Sequence, residues 1–329
     1  MLCEGLRGLN LADGLGSSPE LAHAAANAGY ALTLLRLPRL AEGYLARASD
    51  VAARVAEPST RSLVLRALGA HAIGLGAFAE GRRVLEQAVE IADRLGDRRR
   101  WIECMCLLST IRHYEGKFAE RVAIGADVLY ASARRIGDFQ AQAWGLLDQI
   151  ESLLPLGRRE EAWQHFAALR PFLDSNIGRA EEIWAHGLLA LAHVRDGEIE
   201  NARRAAARGL DGMRAVRPTA VYTMEGYAAV AETYLTLWQR GDREAAAPAH
   251  EACAALEGFA RVFAVGQPRA WLLRGMSELL GGRRERARRA WQRSLTAATR
   301  LAMPYEEALA LRALGDTARA RSLMTTLGV

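Results

Sequence analysis

The sequence predicts an all-α protein built as a solenoid of helical hairpins, and three observations predict it. A turn signature recurs about every forty residues, a small residue follows most turns at a fixed distance, and strand signals are nearly absent. The glycines Gly76, Gly116, Gly157, Gly197, Gly241 and Gly282 are separated by 40, 41, 40, 44 and 41 residues. A fixed period in the range of roughly 20–50 residues marks a stack of one repeated supersecondary unit. Few alternating β-branched runs or hairpin-turn dipeptides break the pattern.

The elements follow in order. The first turn is placed at Pro38, 38 residues before Gly76, with Gly43 five residues on. Gly76-Ala77-Phe78 is followed by Gly81, Leu85 and Ala88 at the fifth, ninth and twelfth positions. Gly116-Lys117-Phe118 is followed by Arg121, the one break in the small-residue rule, and by Val128. Gly157-Arg158-Arg159 leads to Ala162 and Phe166, and Gly197-Glu198-Ile199 leads to Ala202. Gly241-Asp242-Arg243 precedes Ala246 and Cys253; Gly282-Arg283-Arg284 precedes Ala287, Trp291 and Ser294. A last turn at Gly315-Asp316, 33 residues after Gly282, precedes Ala320 and Met324. Glycine ends a helix in the left-handed conformation at low cost. Offsets of five, nine and twelve differ by four and three, which is one helix face, so each turn is followed by an amphipathic helix.

With glycine at the turn, a small residue five on, a large one nine on and a compact one twelve on, the chain resembles the tetratricopeptide repeat. The family's upstream Leu-Gly pair is matched by Leu68-Gly69 and, in its second member, by Gly275. The repeats are degenerate, and their period exceeds the roughly 34 residues of that family, which predicts longer helices. The resemblance implies a right-handed superhelix. The expected organisation is a single solenoid over residues 1–329, with a half repeat at 1–16 and hairpins turning near 38, 76, 116, 157, 197, 241, 282 and 315.

Composition narrows the function. No apolar stretch approaches the roughly 18–20 residues needed to span a bilayer, and Met1-Leu2-Cys3-Glu4-Gly5 lacks a signal peptide's basic start and apolar core. The expectation is a cytoplasmic protein with no membrane partner. All of the 43 basic residues except Lys117 are arginine, a bias that points to a GC-rich bacterial gene. Arg283, Arg284, Arg286, Arg288, Arg289 and Arg293 form a candidate basic patch, opposed only by Glu285 within their helix. A docking surface for acidic protein or phosphate is one reading; a solvated outer face is the favoured one. Without interleaved aromatics, nucleic acid is a disfavoured partner.

Catalytic and metal signatures are missing. Cys3, Cys104, Cys106 and Cys253 lack the spacing of a disulfide framework or zinc site, and Cys104 and Cys106 point about 200° apart on a helix. His186 and His193 lie two turns apart with no carboxylate at ligand spacing. Neither a His-Glu-x-x-His nor a phosphate loop is present. The acid pairs Glu160-Glu161, Glu181-Glu182 and Glu306-Glu307 fall in opening turns of helices, where they stabilise the positive end of the dipole. No enzyme activity and no cofactor are expected.

The inner-face positions of the family select Arg66, Glu103, His113, Tyr114, Trp144, Glu151, Trp184, Trp238 and Arg269. Aromatics beside arginines suit a concave groove for a protein or peptide partner, or for a small effector; gap-filling tryptophans are the alternative. The lysine-and-asparagine clamp of chaperone-tail receptors does not fit a chain with one lysine. The segment Leu9-Asn10-Leu11-Ala12-Asp13-Gly14-Leu15-Gly16 aligns with Val89-Glu90-Ile91-Ala92-Asp93-Arg94-Leu95-Gly96, so an uncapped start and self-association through it are expected. Such endings resemble the C-terminal repeat regions of bacterial signalling ATPases, nucleotide-cyclase fusions and LuxR-like ATP-dependent activators. That resemblance implies a regulatory arm in signalling or transcription regulation; a free-standing scaffold or adaptor is the alternative.

Overall fold

The computed structural model describes residues 9, 16–175 and 177–329. Nearly all of the half repeat expected at 1–16 therefore lies outside the described residues. The described chain is all-α: hairpin follows hairpin, and no strand occurs among these residues. The chain divides into two compact units, Met1–Ile111 and Arg112–Val329, where the sequence suggests one continuous array.

In the first unit, α1 (Pro19–Leu34), α2 (Pro38–Val55), α3 (Pro58–Leu75) and α4 (Phe78–Leu95) form two hairpins, and α5 (Arg98–Tyr114) runs across the boundary. Three of these helices open on proline at N1, where the missing N–H is lost at no cost. Pro38 is thus the first helical residue, not the turn. The left-handed position belongs to Arg36, with φ of 63°. Counting from Arg36, the small fifth residue is the buried Ala41, whereas Gly43 is exposed. The family's glycine has a visible purpose here. A Cβ on Gly29 would meet Leu45 Cγ at 2.7 Å, and one on Gly69 would meet Leu85 Cγ at 2.4 Å. Each of these two glycines seats a leucine of the following helix.

The second unit begins with the last residues of α5, followed by α6 (Phe118–Ala123), a π-helical stretch (Ile124–Tyr130) and α7 (Ala131–Arg135). It continues through α8 (Phe139–Leu153), α9 (Arg159–Leu173), α10 (Arg179–Asp196), α11 (Ile199–Ala215), α12 (Met224–Gln239), α13 (Ala246–Val262), α14 (Gln267–Leu280), α15 (Arg284–Arg300), α16 (Pro304–Leu314) and α17 (Thr317–Leu327). The π-helical stretch lies where this helix packs hardest on its neighbour: a Cβ on Gly145 would sit 2.6 Å from the Tyr130 backbone nitrogen. Before α13, the 3₁₀ turn Arg243–Ala245 advances the chain by about 120° per residue. Ala245, not Ala246, therefore takes the fully buried small position.

First helices pack on successive first helices, α8 on α10, α10 on α12, α12 on α14 and α14 on α16. Helices α10 and α12 meet at Gly187 and Gly226, where an added Cβ would lie 2.2 Å from Gly226 O and 2.5 Å from Trp184 Cα respectively. Helix α8 is buried from Ala141 to Leu153 without interruption, polar residues included. The run of hairpins also closes on itself within this unit. Phe118 packs edge-on against Tyr305 at 5.1 Å, and Leu327 lies against Gly116.

Gly226→Ala should destabilise by about 2–3 kcal/mol, because the obstacle is backbone rather than a movable side chain. Gly43→Ala should stabilise by about 0.5–1 kcal/mol, since that Cβ meets nothing within 4 Å. Urea unfolding of both variants checks the pair.

Candidate binding site

The break in the small-residue rule turns out to be the centre of the second unit. Arg121, with its side chain 1% exposed, cannot be left without partners in so dry a place. Its guanidinium donates to Asp148 at 2.5 Å and pairs with Glu151 at 3.1 Å. It also lies 3.0 Å from His113 Nδ1 and 3.4 Å from Ser152 Oγ. His113 Nδ1 is 3.2 Å from Glu151, and its Nε2 is 3.2 Å from Glu225. Glu225 accepts two hydrogen bonds of 3.1 Å from Arg269. Arg269 in turn donates to Glu306 at 2.9 and 2.6 Å. The result is one connected chain of buried charge across α5, α6, α8, α12, α14 and α16.

Indole, phenol and amide donors surround it. Trp184 Nε1 donates to Glu151 at 2.5 Å, and Tyr114 Oη donates to the Val221 carbonyl at 3.0 Å. Trp144 Nε1, Tyr222 Oη and Gln140 Nε2 donate to Glu181 at 2.8, 2.9 and 3.2 Å. Burial opposes ionisation of Glu225, but Arg269, with His113 and Arg121 behind it, outweighs burial and holds the carboxyl down at about 2. At Glu151 burial prevails over Arg121 and His113, so its carboxyl is raised. The physical difference is the number of contacts: Glu151 meets Arg121 at one nitrogen, whereas Glu225 accepts from two N–H groups of Arg269.

Beside this network lies a pocket of about 410 Å³ on the first helices α10, α12, α14 and α16. Leu272, Leu273, Met276, Leu280 and Leu309 give it apolar walls, and Trp291 of α15 closes one side. The Trp291 ring lies against Gly275, where a Cβ would come within 2.2 Å of Nε1, which donates to the Leu272 carbonyl at 3.2 Å. Arg269 and Tyr305 form the floor, with the guanidinium 5.9 Å from the Tyr305 ring. Arg195, Glu232 and Arg312 stand at the mouth. Arg195 reaches Glu232 at 3.3 Å.

The residues predicted from sequence fall into four places. His113, Tyr114, Trp144, Glu151, Trp184 and Arg269 come together in the second unit, but buried and bonded to protein rather than displayed in an open groove. Trp184 is fully buried, so it holds Glu151 and fills the core; only Arg269 reaches the pocket. Arg66 and Glu103 pair at 3.3 Å in the first unit. Trp238 packs edge-on against His250 at 5.3 Å, away from both network and pocket lining. Of the arginine-rich segment, Arg284, Arg286, Arg288 and Arg289 are exposed on α15. Arg283 pairs with Glu278, and Arg293 stacks over Trp271 at 4.8 Å.

Arg121, Asp148, Glu225, Glu306 and Tyr305 were not legible as site residues. Arg121 carried the one available signal, a large charged residue where every other repeat is small. Glu181 and Glu306 stand in the opening turns of their helices, and both are in addition buried and serve contacts between helices. Cys104 and Cys253 are buried, and burial pushes each thiol up to about 12.

No protein-family model matches the chain, and no curated protein matches its sequence. Among solved structures it is similar to a chain in the crystal structure of Rap protein complexed with competence and sporulation factor. The TM-score is 0.54 at 13% identity, over 94% of this chain and 76% of that one. At that identity the likeness concerns the fold, an array of helical hairpins.

Arg121→Met should cost about 3–5 kcal/mol, because it leaves Asp148 and Glu151 buried without their cation; chemical denaturation measures it. The pH dependence should have two opposed parts. The stability due to Glu225 is full above the ordinary carboxylate range and is lost as pH falls towards about 2. Glu151 binds its proton more tightly folded than unfolded, so its contribution declines as pH rises from the ordinary carboxylate value to its raised one. Glu151→Gln should therefore remove that decline and leave the acid limb in place, as read from urea midpoints across pH.

Proposed function

We propose that the chain is a non-catalytic recognition module that holds a peptide, or a peptide-like segment of a protein, on the face made by its later first helices. The observation that carries this reading is the pocket over α10, α12, α14 and α16. Its volume of about 410 Å³ falls in the range of roughly 300–1,000 Å³ typical of ligand sites, as does its pattern of apolar walls with a few placed polar groups. Its charged lining consists of arginines and one glutamate that is itself paired, a set suited to holding charge rather than to moving protons or attacking a carbonyl. The likeness to a Rap protein complexed with competence and sporulation factor supports the use of such a helical array for recognition.

Within this reading the module is the sensing arm of a bacterial signalling protein and works in the cytoplasm. What supports a sensing role is the floor of the pocket. Arg269 touches both the cavity and the buried charge chain that closes the second unit. An occupant that rests on this floor lies one residue away from the partners of Arg269 in that chain.

The test is selection of a random peptide library on the purified chain, with counter-selection on Leu309→Glu. Leu309 lines the pocket and is only partly buried, so the variant should keep its melting temperature and lose at least about tenfold in affinity for the selected peptides. Peptides that bind both proteins equally would place recognition elsewhere.

A further inference from the structure

We infer that the pocket reads a specific pairing in its ligand: a large aliphatic or aromatic side chain next to a carboxylate. This inference rests on the peptide-recognition reading and adds the chemistry of the occupant. The walls select the first half of the pair. Leu272, Met276, Leu280 and Leu309 are partly buried around the cavity, and Leu279 at its edge is 42% exposed. An apolar side chain entering there removes both surfaces from water, which favours binding.

The mouth selects the second half, and the argument is one of unmatched charge. Arg269 is not available to a ligand. Its Nε and Nη2 bond Glu306, and Nη1 and Nη2 bond Glu225, so two carboxylates already hold it. Arg195 is held loosely, donating to the Leu154 carbonyl at 3.4 Å and to Glu232 at 3.3 Å. Arg312 is exposed, and its guanidinium has no hydrogen-bond or ion-pair partner among the described residues. Two arginines therefore face one glutamate at the rim of an apolar cavity. A carboxylate beside the inserted side chain supplies the missing charge, and it meets Arg312 without displacing an existing partner. Because the rim is open to solvent, the pairing is modest and screened by salt.

An array of blocked peptides tests this, with every combination of two residues X and Z placed adjacently in a fixed Gly/Ser host. Binding should concentrate on X as Leu, Met, Phe or Trp with Z as Asp or Glu. Replacing Z by Asn or Gln should weaken it by roughly three- to tenfold, and added salt should erase that difference. Arg312→Gln should remove the preference for an acidic Z while leaving the preference for X. Glu232→Gln should act in the opposite direction, strengthening acidic peptides by freeing Arg195. Both sites lie at the surface end of the pocket, and thermal melts confirm that the variants fold.

A preference for X with indifference to Z, unchanged in Arg312→Gln, overturns the inference and leaves the recognition reading standing. Absence of any binding that Leu309→Glu abolishes overturns both.

Discussion

The buried chain of charge that runs from Asp148 through Arg121, His113, Glu225 and Arg269 to Glu306 is the interaction on which the second unit depends. Ions removed from water are costly, and attraction between them offsets that cost only when geometry satisfies nearly every donor and acceptor. Here that requirement is met by residues from six helices at once. No one of these helices can move without leaving a charge unpaired in a dry interior. A purely apolar interior would tolerate small slips between stacked hairpins, whereas this one penalises them. Tetratricopeptide-like hairpins pack mainly on their sequence neighbours. The charge chain adds contacts between residues more than a hundred positions apart, as in the pairing of His113 with Glu225.

Close packing makes the charge chain reachable. Gly187 and Gly226 allow α10 and α12 to touch backbone to backbone. This draws Trp184 and Glu225, each a short step from one of these glycines, onto the same interior. On the other side, Gly125 and Gly145 bring the π-helical stretch against α8, whose inward face carries Asp148, Glu151 and Ser152. Without side chains at these four positions the helices come close enough for short charged groups to meet; with them, the same groups would be separated by a methyl layer.

The pocket inherits its shape from this arrangement. Arg269 and Tyr305 are fixed from below by Glu225, Glu306 and Phe118, so the floor is rigid while the rim, with Arg195 and Arg312, is open to solvent. A rigid floor lowers the conformational cost of binding. The shared residue Arg269 belongs both to the pocket floor and to the closure of the unit.

The sequence by itself determined the repeat. Period, turn glycines and small fifth residues are consequences of local backbone and helix-face geometry, which a linear pattern records directly. It erred by two residues at Pro38 because proline marks a helix start, not a left-handed turn; Arg36 adopts that conformation with no sequence signal. It also selected Glu151, Trp184 and Arg269, because inner-face offsets are periodic. Tertiary structure alone decided what those residues do. Partners such as His113 and Glu225 lie in different hairpins, and their meeting depends on the curvature of the stack, which accumulates from small rotations at each interface. For the same reason Glu306 reads as a helix-opening acid in sequence and becomes a buried ligand of Arg269 in the fold. The division at Ile111–Arg112 has no linker to announce it, since it falls within a continuous helix.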